Sequence, residues 1–397
     1  MRQPVTIAHV VTKLELGGAQ QIALYTVSHL DRTRFRPILI AGEPGICDDE
    51  GRYAGEEFYQ VPSLVRPIRP LGDMRALYDL TRLFRRLKPT IVHTHSSKAG
   101  ILGRWAARLA GIPIIVHSIH GFGFTRDQHP LLRWALIELE RSVARVTRKF
   151  FPVSRATRRL GIELGLFTEA NSTVLPPGID PEVFCGMRVD VPAMCRKLGL
   201  EADRPVVGMI APLKPQKAPV DFVKVAARVH QARPDVQFLL VGDGELRAAV
   251  EAEVAAQGLR GRFILIGWRR DIAEIMRCLD VFVLTSRWEG LPRVYLEATA
   301  SGVPVVGTRV DGAPEVIQEG RNGYLAEPGD IGTLAAHVLS LLADPDRARA
   351  MGRSGAALAL EYDIREMMRR QEREYETLLA EQAAHVFPLN VAGSPSS

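Results

Sequence analysis

The chain has 397 residues, of which 46 % are hydrophobic and 24 % are charged, and its formal net charge is +6 at pH 7. This hydrophobic content excludes a disordered chain, and the length predicts two globular domains. No apolar run reaches the roughly 20 residues that a membrane-spanning helix needs, so we expect no integral membrane protein.

The first residues and the cysteines indicate a reducing compartment. Residues 1–18 have a short apolar stretch without the small-residue cleavage site of a signal peptide, and are typical of a strand that leads into a glycine loop. We therefore expect a cytoplasmic protein. The four cysteines have neither metal-ligand spacing nor the density of a disulfide framework: they are Cys47, Cys185, Cys195 and Cys278.

The basic excess lies in the first half of the chain. Residues 1–185 contain 25 Lys and Arg against 17 Asp and Glu, whereas the remainder contains 26 against 28. A basic surface can bind anionic lipid, nucleic acid or a phosphorylated substrate, or can simply be solvated. Because no nucleic-acid recognition module is present, we expect no nucleic-acid partner. One partly apolar segment predicts a membrane-facing side: it contains Arg141, Arg145, Arg148, Lys149, Arg155, Arg158 and Arg159.

Strand-like and helix-like segments alternate along the chain in two series. The strand-like segments are near-continuous apolar runs, which are typical of parallel strands buried on both faces. Two such series predict two doubly wound, Rossmann-like α/β domains. The strand-like runs begin near residues 5, 36, 90, 113 and 150 in the first series, and near residues 205, 236, 262, 281 and 304 in the second.

The segment 175–193 is rich in proline and glycine and is the expected linker. We place the first domain at residues 1–180 and the second at residues 181–365. Residues 366–397 are predicted to form a long charged helix, which we expect to pack back on the first domain, and then a frayed tail. Ligands bind at the carboxyl ends of parallel strands, so two such domains predict a cleft where these ends face each other.

A pair of glycines, Gly17 and Gly18, follows the first strand. Glycine lets the backbone approach a ligand closely, and the helix that follows would point its N-terminus at the same place. The pair therefore predicts a ligand contact, although an ordinary turn is the alternative.

Two histidines, His95 and His120, end later strands of the first domain. A histidine pair can bind zinc, but no carboxylate or thiol lies at ligand spacing from these two. Structural histidines that bond within the core are the alternative interpretation.

Two lysines, Lys214 and Lys217, follow the first strand of the second domain and precede a helix. Lysines beside a helix N-terminus bind a diphosphate as point charges. Solvated loop lysines are the alternative.

The segment VFVLTSRWEGLPRVYLEATASGVPVV contains two glutamates, Glu289 and Glu297, that are separated by seven residues. The first lies in a loop after a strand, and the second lies in the helix that follows. Free N–H groups at Gly290 and Leu291 suit a phosphate, because a helix N-terminus attracts anions. Each carboxylate can accept hydrogen bonds from vicinal hydroxyls, so one suits a sugar and the other a ribose.

This segment resembles the signature of glycosyltransferase family 4, whose members are retaining enzymes with the GT-B fold of two Rossmann-like domains facing across a cleft. That signature has the form E-G-L/F-P-x-x-x-x-E, and the resemblance extends from about residue 5 to residue 380. It implies that Glu289 contacts the transferred sugar and Glu297 the ribose of a nucleotide-sugar. It also implies that the first domain binds the acceptor and the second binds the donor.

The resemblance includes further residues, with one departure. Lys217 matches the family lysine that clamps the donor phosphates, but Pro212 stands at the position of the family arginine, and Lys214 is the candidate for the missing cation. His120 matches the family histidine in the cleft. Other matching positions near the donor are Gly17 and Gly18 in the first loop, Gly242, Trp268 and Arg269 along the nucleotide pocket, and Gly312 and Glu315 in a donor-side loop.

The activity implied by the resemblance is transfer from a UDP- or GDP-sugar to a glycan or lipid-linked acceptor, in cell-surface polysaccharide or lipopolysaccharide synthesis. We expect a peripheral enzyme on the inner face of the plasma membrane. No acidic D-x-D-type cluster is present, so we expect no metal cofactor and assign stabilisation of the leaving diphosphate to lysines and helix-terminal amides. We find no glycosidase-type carboxylate nucleophile, which favours front-face attack.

Two other functional classes are alternatives to a glycosyltransferase. A nucleotide-sugar epimerase of the same architecture would need no acceptor, and a catalytically inactive partner subunit is conceivable because Pro212 replaces the arginine. A dehydrogenase is disfavoured, because no G-x-G-x-x-G follows the first strand of either half.

Overall fold

The computed structural model describes residues 3–54, 57–125 and 128–386. The described residues form two α/β units, and the first unit contains a parallel sheet of six strands in the order β3-β2-β1-β4-β5-β6. Its strands are β1 (Val5–Val11), β2 (Phe35–Ala41), β3 (Glu57–Gln60), β4 (Ile91–His95), β5 (Ile114–Ile119) and β6 (Lys149–Pro152).

The second unit repeats the same topology with another six-stranded parallel sheet, in the order β12-β11-β10-β7-β8-β9. The prediction of two doubly wound parallel sheets is therefore confirmed, with the strand order reversing between β1 and β4 and between β7 and β10. Ligands bind at such reversal points. The strands are β7 (Val206–Ile210), β8 (Gln237–Val241), β9 (Phe263–Leu265), β10 (Val281–Leu284), β11 (Val305–Thr308) and β12 (Gly323–Ala326).

Helices cover both faces of each sheet, as parallel strands require. In the first unit they are α1 (Gly18–His29), α2 (Asp48–Ala54), α3 (Pro70–Leu87), α4 (Ser97–Leu109), α5 (Pro130–Ala144) and α6 (Arg155–Glu163). The later helices are α7 (Pro181–Phe184), α8 (Val191–Lys197), α9 (Pro219–Ala232), α10 (Arg247–Ala256), α11 (Ile272–Met276), α12 (Arg293–Ala300), α13 (Ala313–Val316), α14 (Ile331–Ala343), α15 (Pro345–Ala359) and α16 (Ile364–Val386). Among the described helices, none has the length and apolar character needed to cross a bilayer.

The strands form because their apolar runs are buried on both faces: every residue of β4, β8 and β10 is buried. Polar side chains start several of the helices. The hydroxyl of Ser154 accepts a hydrogen bond from the backbone N–H of Thr157, and the carboxylate of Asp330 accepts one from that of Thr333. Such caps satisfy N–H groups that lack a partner within the helix.

The chain crosses between the two units twice, and the two crossings lie side by side. The backbone N–H of Ile179 donates to Tyr362 at 2.9 Å, and that of Ile364 donates back to Ile179 at 2.9 Å. The second crossing leads into α16, which packs on the core of the first unit through Met367, Met368 and Tyr375. The tail predicted at residues 387–397 lies outside the described residues.

Tyr375 anchors α16 to the first sheet. Its side chain is fully buried, and its hydroxyl forms a hydrogen bond with His93 Nδ1 at 2.5 Å. We predict that Tyr375→Ala lowers the free energy of unfolding by about 3–5 kcal/mol, because the substitution leaves a cavity in the core. Urea unfolding followed by near-UV circular dichroism measures this loss.

The matched control is Tyr53→Ala, since Tyr53 is 89 % exposed on α2. It should change the free energy of unfolding by less than about 0.5 kcal/mol. Equal small losses for the two variants would show that α16 contributes little to the first unit.

Candidate active site

A cavity of about 320 Å³ lies where the carboxyl ends of the two sheets face each other. It is bounded by the segments that follow β1 and β5 on one side and β7 to β10 on the other. The geometry thus brings together residues that are remote in sequence. The predicted site residues that line the cavity are Gly17, Gly18, His120, Lys214, Lys217, Gly242, Trp268, Arg269, Glu289, Leu291 and Glu297.

Gly290 was predicted to belong to the site but does not line the cavity. A Cβ atom at this position would lie 2.2 Å from the carbonyl oxygen of His120 in the other unit. Only glycine therefore allows the two backbones to approach this closely. The carbonyl of Gly290 also accepts a hydrogen bond from the N–H of Gly312 at 3.1 Å.

The ion pair between Lys217 and Glu289 lies at the centre of the cavity wall. The two residues meet because they follow β7 and β10, which are neighbours in the sheet. The hydroxyl of Thr285 joins the two loops by donating to the carbonyls of Lys217 and Ala218, at 3.0 and 2.9 Å. Ala218 has a left-handed φ of 43°, so the lysine loop is held in a strained conformation.

The Glu289 carboxylate is almost buried, with 7 % of its side chain exposed. Its Oε1 accepts a hydrogen bond from the Ser286 hydroxyl at 2.6 Å, and the side-chain amide of Gln216 approaches Oε2 at 3.5 Å. The backbone N–H of Glu289 donates to the Asp311 carboxylate at 2.7 Å. These contacts fix the orientation of the carboxylate, and a buried ion pair needs such partners to offset the loss of solvation.

Glu297 forms a second ion pair, with Arg293 at 2.9 Å. Helix α12 begins at Arg293 with Pro292 as its N-cap, and Gly290 and Leu291 lie in the loop that precedes it. Arg293 also donates to the carbonyl of Gly178 at 3.2 Å and contacts the Gln21 side chain, which ties α12 to the first unit. Sequence analysis missed Arg293, although its spacing of four residues from Glu297 on a helix was an available signal.

A third charged cluster joins the two units at the mouth of the cavity. The Glu15 carboxylate accepts hydrogen bonds from Lys214 at 3.0 Å and from Arg66 at 2.8 Å. Burial raises the pKa of Glu15, but these hydrogen bonds outweigh burial and hold that pKa below its usual value. Sequence analysis missed both Glu15 and Arg66, because only the fold brings them beside Lys214.

The remaining predicted donor residues lie at one end of the cavity. Gly242 follows β8 and has a φ of 135°. A Cβ atom at this position would lie 2.0 Å from the carbonyl oxygen of Ala211, which follows β7, so glycine is required where the ends of the two strands meet. Trp268 is 36 % exposed and offers an aromatic face. Arg269 is paired with Asp271, with Nε at 2.8 Å from the carboxylate.

Comparison with known proteins decides the family. The model "Glycosyltransferase Family 4" matches residues 16–183, and the model "Glycosyl transferases group 1" matches residues 204–344. The chain is also 35 % identical to the UDP-Gal:alpha-D-GlcNAc-diphosphoundecaprenol alpha-1,3-galactosyltransferase of Escherichia coli, over 82 % of this chain and 85 % of that protein. The chain belongs to glycosyltransferase family 4.

Solved structures confirm the predicted GT-B fold of this glycosyltransferase. The Anabaena protein HepE, in complex with UDP and glucose, aligns with a TM-score of 0.80 and 20 % identity over 93 % of this chain and 99 % of that one. The sucrose-phosphate synthase of Thermosynechococcus elongatus aligns with a TM-score of 0.81 and 19 % identity over 95 % and 100 %. At these identities, the likeness establishes the fold alone.

Glu315 was predicted to lie near the donor, but its side chain points to helix α6 instead. Its carboxylate accepts hydrogen bonds from the backbone N–H groups of Arg155 and Ala156, at 3.0 and 2.9 Å. These groups belong to the first turn of α6, whose N–H groups lack partners within the helix. Glu315 therefore caps a helix of the first unit from the second, and does not line the cavity.

Two residues of the basic segment that was predicted to face a membrane form ion pairs within the protein. Arg148 pairs with Glu381 at 3.0 Å, and Lys149 pairs with Glu374 at 3.2 Å. Both glutamates belong to α16, which lies more than 200 residues later in the sequence and packs beside this surface. The charges of these two residues are therefore partly offset within the protein, which a local charge count does not include.

Several histidines of the first unit form a buried cluster. Within the described residues, ligand nitrogens of His9, His93 and His95 lie within 4.8 Å of one another, which is the spacing of a possible metal site. Both ring nitrogens of His93 are already hydrogen-bonded, to Tyr375 at 2.5 Å and to Ser118 at 2.8 Å. Metal binding would break these bonds, so the donor set fits a hydrogen-bonded core better than a metal centre.

Proposed function

We propose that this glycosyltransferase binds a nucleotide-sugar in the cleft between its two units and transfers the sugar with retention of anomeric configuration. The observation that carries the proposal is that Lys217, Glu289 and Glu297 all line one cavity. The first provides a cation, and the other two provide acceptors for sugar and ribose hydroxyls. The chemistry of the three side chains is thus complementary to the three parts of a nucleotide-sugar.

We propose one orientation for the donor in the cavity. The diphosphate is placed between Lys217, Lys214 and the N-terminus of α1, where Gly17 starts a helix without a side-chain cap. A helix N-terminus and two cations suit a diphosphate. The base is then placed at the end of the cavity near Trp268. UDP is favoured over GDP, because the E. coli relative takes its name from UDP-Gal.

The reaction that this arrangement supports needs no metal. As the bond between the sugar C1 and the phosphate oxygen breaks, negative charge grows on the diphosphate, and Lys217 and Lys214 can stabilise it. The acceptor oxygen attacks C1 from the same face, and its proton passes to the departing phosphate oxygen. The Glu289 carboxylate, held by Ser286, orients the sugar for this step.

The acceptor is proposed to occupy the first unit. A second cavity of about 500 Å³, which we call the apolar groove, lies between the start of α3, α4 and α5. Arg66 lines both this groove and the active-site cavity, so the two adjoin each other. An acceptor with an apolar chain and a phosphate fits the groove and its basic mouth. The apolar side chains that line it are Ile68, Ile101, Leu102, Phe124, Leu132, Leu136 and Leu139.

Large apolar side chains are exposed beside the groove and provide a surface for a membrane. Leu71 on α3 is 83 % exposed, and Leu131 and Trp134 on α5 are 71 % and 63 % exposed. Such residues together with nearby arginines are typical of interfacial helices. We therefore place the enzyme on the inner face of the plasma membrane, acting on lipid-linked glycans of polysaccharide or lipopolysaccharide synthesis. The name of the E. coli relative includes such an acceptor, a diphosphoundecaprenol.

The catalytic assignment predicts that Lys217→Met and Glu289→Gln each lower kcat by about 10²–10³, which is typical for the loss of one group that stabilises a transition state. The assay measures transfer from UDP-sugars to GlcNAc-diphosphoundecaprenol, with NMR of the product anomer to test retention. Product analysis without acceptor distinguishes transfer from epimerisation.

The controls are Lys224→Met and Glu327→Gln, which change exposed residues of the same unit, 46 % and 73 % exposed at their side chains. They should leave kcat unchanged. Near wild-type transfer by the Lys217 and Glu289 variants would reject the assigned roles.

The membrane assignment predicts that the double variant Leu131→Glu, Trp134→Glu binds vesicles at least tenfold more weakly, because each large apolar side chain contributes about 1.5–3 kcal/mol when buried. Flotation with phosphatidylglycerol and phosphatidylethanolamine vesicles at low salt measures this. The control Leu360→Glu alters an exposed leucine of the other unit, 56 % exposed. Absence of wild-type binding, or equal binding by both variants, would remove the membrane assignment.

A further inference from the structure

Three histidines on or directly after the neighbouring strands β1, β4 and β5 form a continuous hydrogen-bonded chain that reaches the active-site cavity. His9 lies on β1, His95 ends β4, and His120 follows β5. His9 Nδ1 lies 3.1 Å from His95 Nε2, and His95 Nδ1 lies 3.2 Å from His120 Nε2. We call these residues the histidine relay. Its first two members are buried, and its last member lines the cavity.

A neighbouring histidine packs against the relay but does not belong to it. The rings of His93 and His95 are stacked with centroids 4.2 Å apart. Because Tyr375 and Ser118 occupy both ring nitrogens of His93, no nitrogen is left to bond with the relay. The stacking holds His95 in the plane that its two hydrogen bonds require.

The relay is uncharged at neutral pH. Burial lowers the pKa of His9 to about 3 and that of His120 to about 4, and it lowers the pKa of His95 well below the usual value. A neutral imidazole carries one N–H, so one ring nitrogen donates and the other accepts. The two hydrogen bonds of the relay must therefore run in the same direction.

The buried end of the relay decides that direction. His9 Nε2 is buried without a hydrogen-bond partner among the described residues. If the bonds ran from His120 towards His9, this atom would carry an N–H with no acceptor. If they run from His9 towards His120, it is only an unused acceptor. Orphaned buried N–H groups are rarer than unsatisfied acceptors, so the second direction is favoured.

We propose that His9 and His95 are positioning residues that fix His120 in the tautomer with its proton on Nδ1. The proposal deepens the proposed function, because it defines what His120 offers to the donor. Among the described residues, His120 Nδ1 has no protein partner, so its N–H is available to the cavity. A nucleotide-sugar is rich in oxygen acceptors, and an N–H donor complements it. In this tautomer, Nδ1 has no lone pair with which to accept a proton from the substrate.

The direct test is the tautomer of His120 in the wild-type protein. NMR of protein labelled with ¹⁵N-histidine identifies which ring nitrogen carries the proton, and His120→Gln assigns the signal. We expect the proton on Nδ1, and expect His9→Leu to convert His120 to a mixture of tautomers. A proton on Nε2 in the wild type would overturn the proposal. This readout needs no enzymatic activity, so it tests the tautomer even if the proposed transferase function fails.

The kinetic test separates positioning from packing. His9→Leu should lower kcat about tenfold, as expected for a lost hydrogen bond in the transition state, with the Kd for UDP unchanged. His9→Asn keeps a donor near the position of Nδ1 and should restore most of kcat. The control is His117→Leu, since His117 is 4 % exposed and bonds to Thr94 outside the relay. Equal losses of kcat in His9→Leu and His117→Leu would show a packing effect and contradict the proposal.

Discussion

The active site depends on the ion pair between Lys217 and Glu289. Its two members belong to loops after adjacent strands, and both are largely removed from water, with 15 % and 7 % of their side chains exposed. Removing charges from water is costly, and the pair persists because Ser286 and Gln216 bond the carboxylate. Under the proposed function, a nucleotide-sugar supplies replacements for both partners, a phosphate for the lysine and hydroxyls for the glutamate. In the free protein, the two side chains that we propose to bind the donor instead neutralise each other.

The second constraint is the close contact between the two units. Gly290 lies against the carbonyl of His120, and a Cβ at Gly18 would lie 3.3 Å from the Cβ of Arg293. Glu315 caps α6 across the same junction, and α16 returns to the first sheet. These contacts bring the carboxyl ends of the two sheets face to face, so each unit contributes part of one cavity.

The sequence predicted the fold, and a set of residues that line one cavity, because their signals are local. Apolar strands alternate with helices, and Glu289 and Glu297 belong to one continuous segment. The residues that could not be predicted form ion pairs with residues far away in the sequence: Glu15 meets Lys214 only after both units have formed. The same limit applies to Lys149, whose ion pair with Glu374 on α16 cannot be read from the local sequence. The histidine relay could not be predicted either, because its hydrogen bonds depend on how β1, β4 and β5 align in the sheet.

We propose that Lys217 binds the diphosphate and Glu289 binds the sugar of one donor. Calorimetric titration of UDP and of the matching UDP-sugar into the wild type, Lys217→Met and Glu289→Gln tests these two roles. We predict that Lys217→Met weakens the binding of both ligands, because both contain the diphosphate. Glu289→Gln should weaken the binding of the UDP-sugar alone, and should strengthen that of UDP because the lysine loses its competing carboxylate. Equal effects of Glu289→Gln on both ligands, or unchanged affinities in both variants, would contradict these roles.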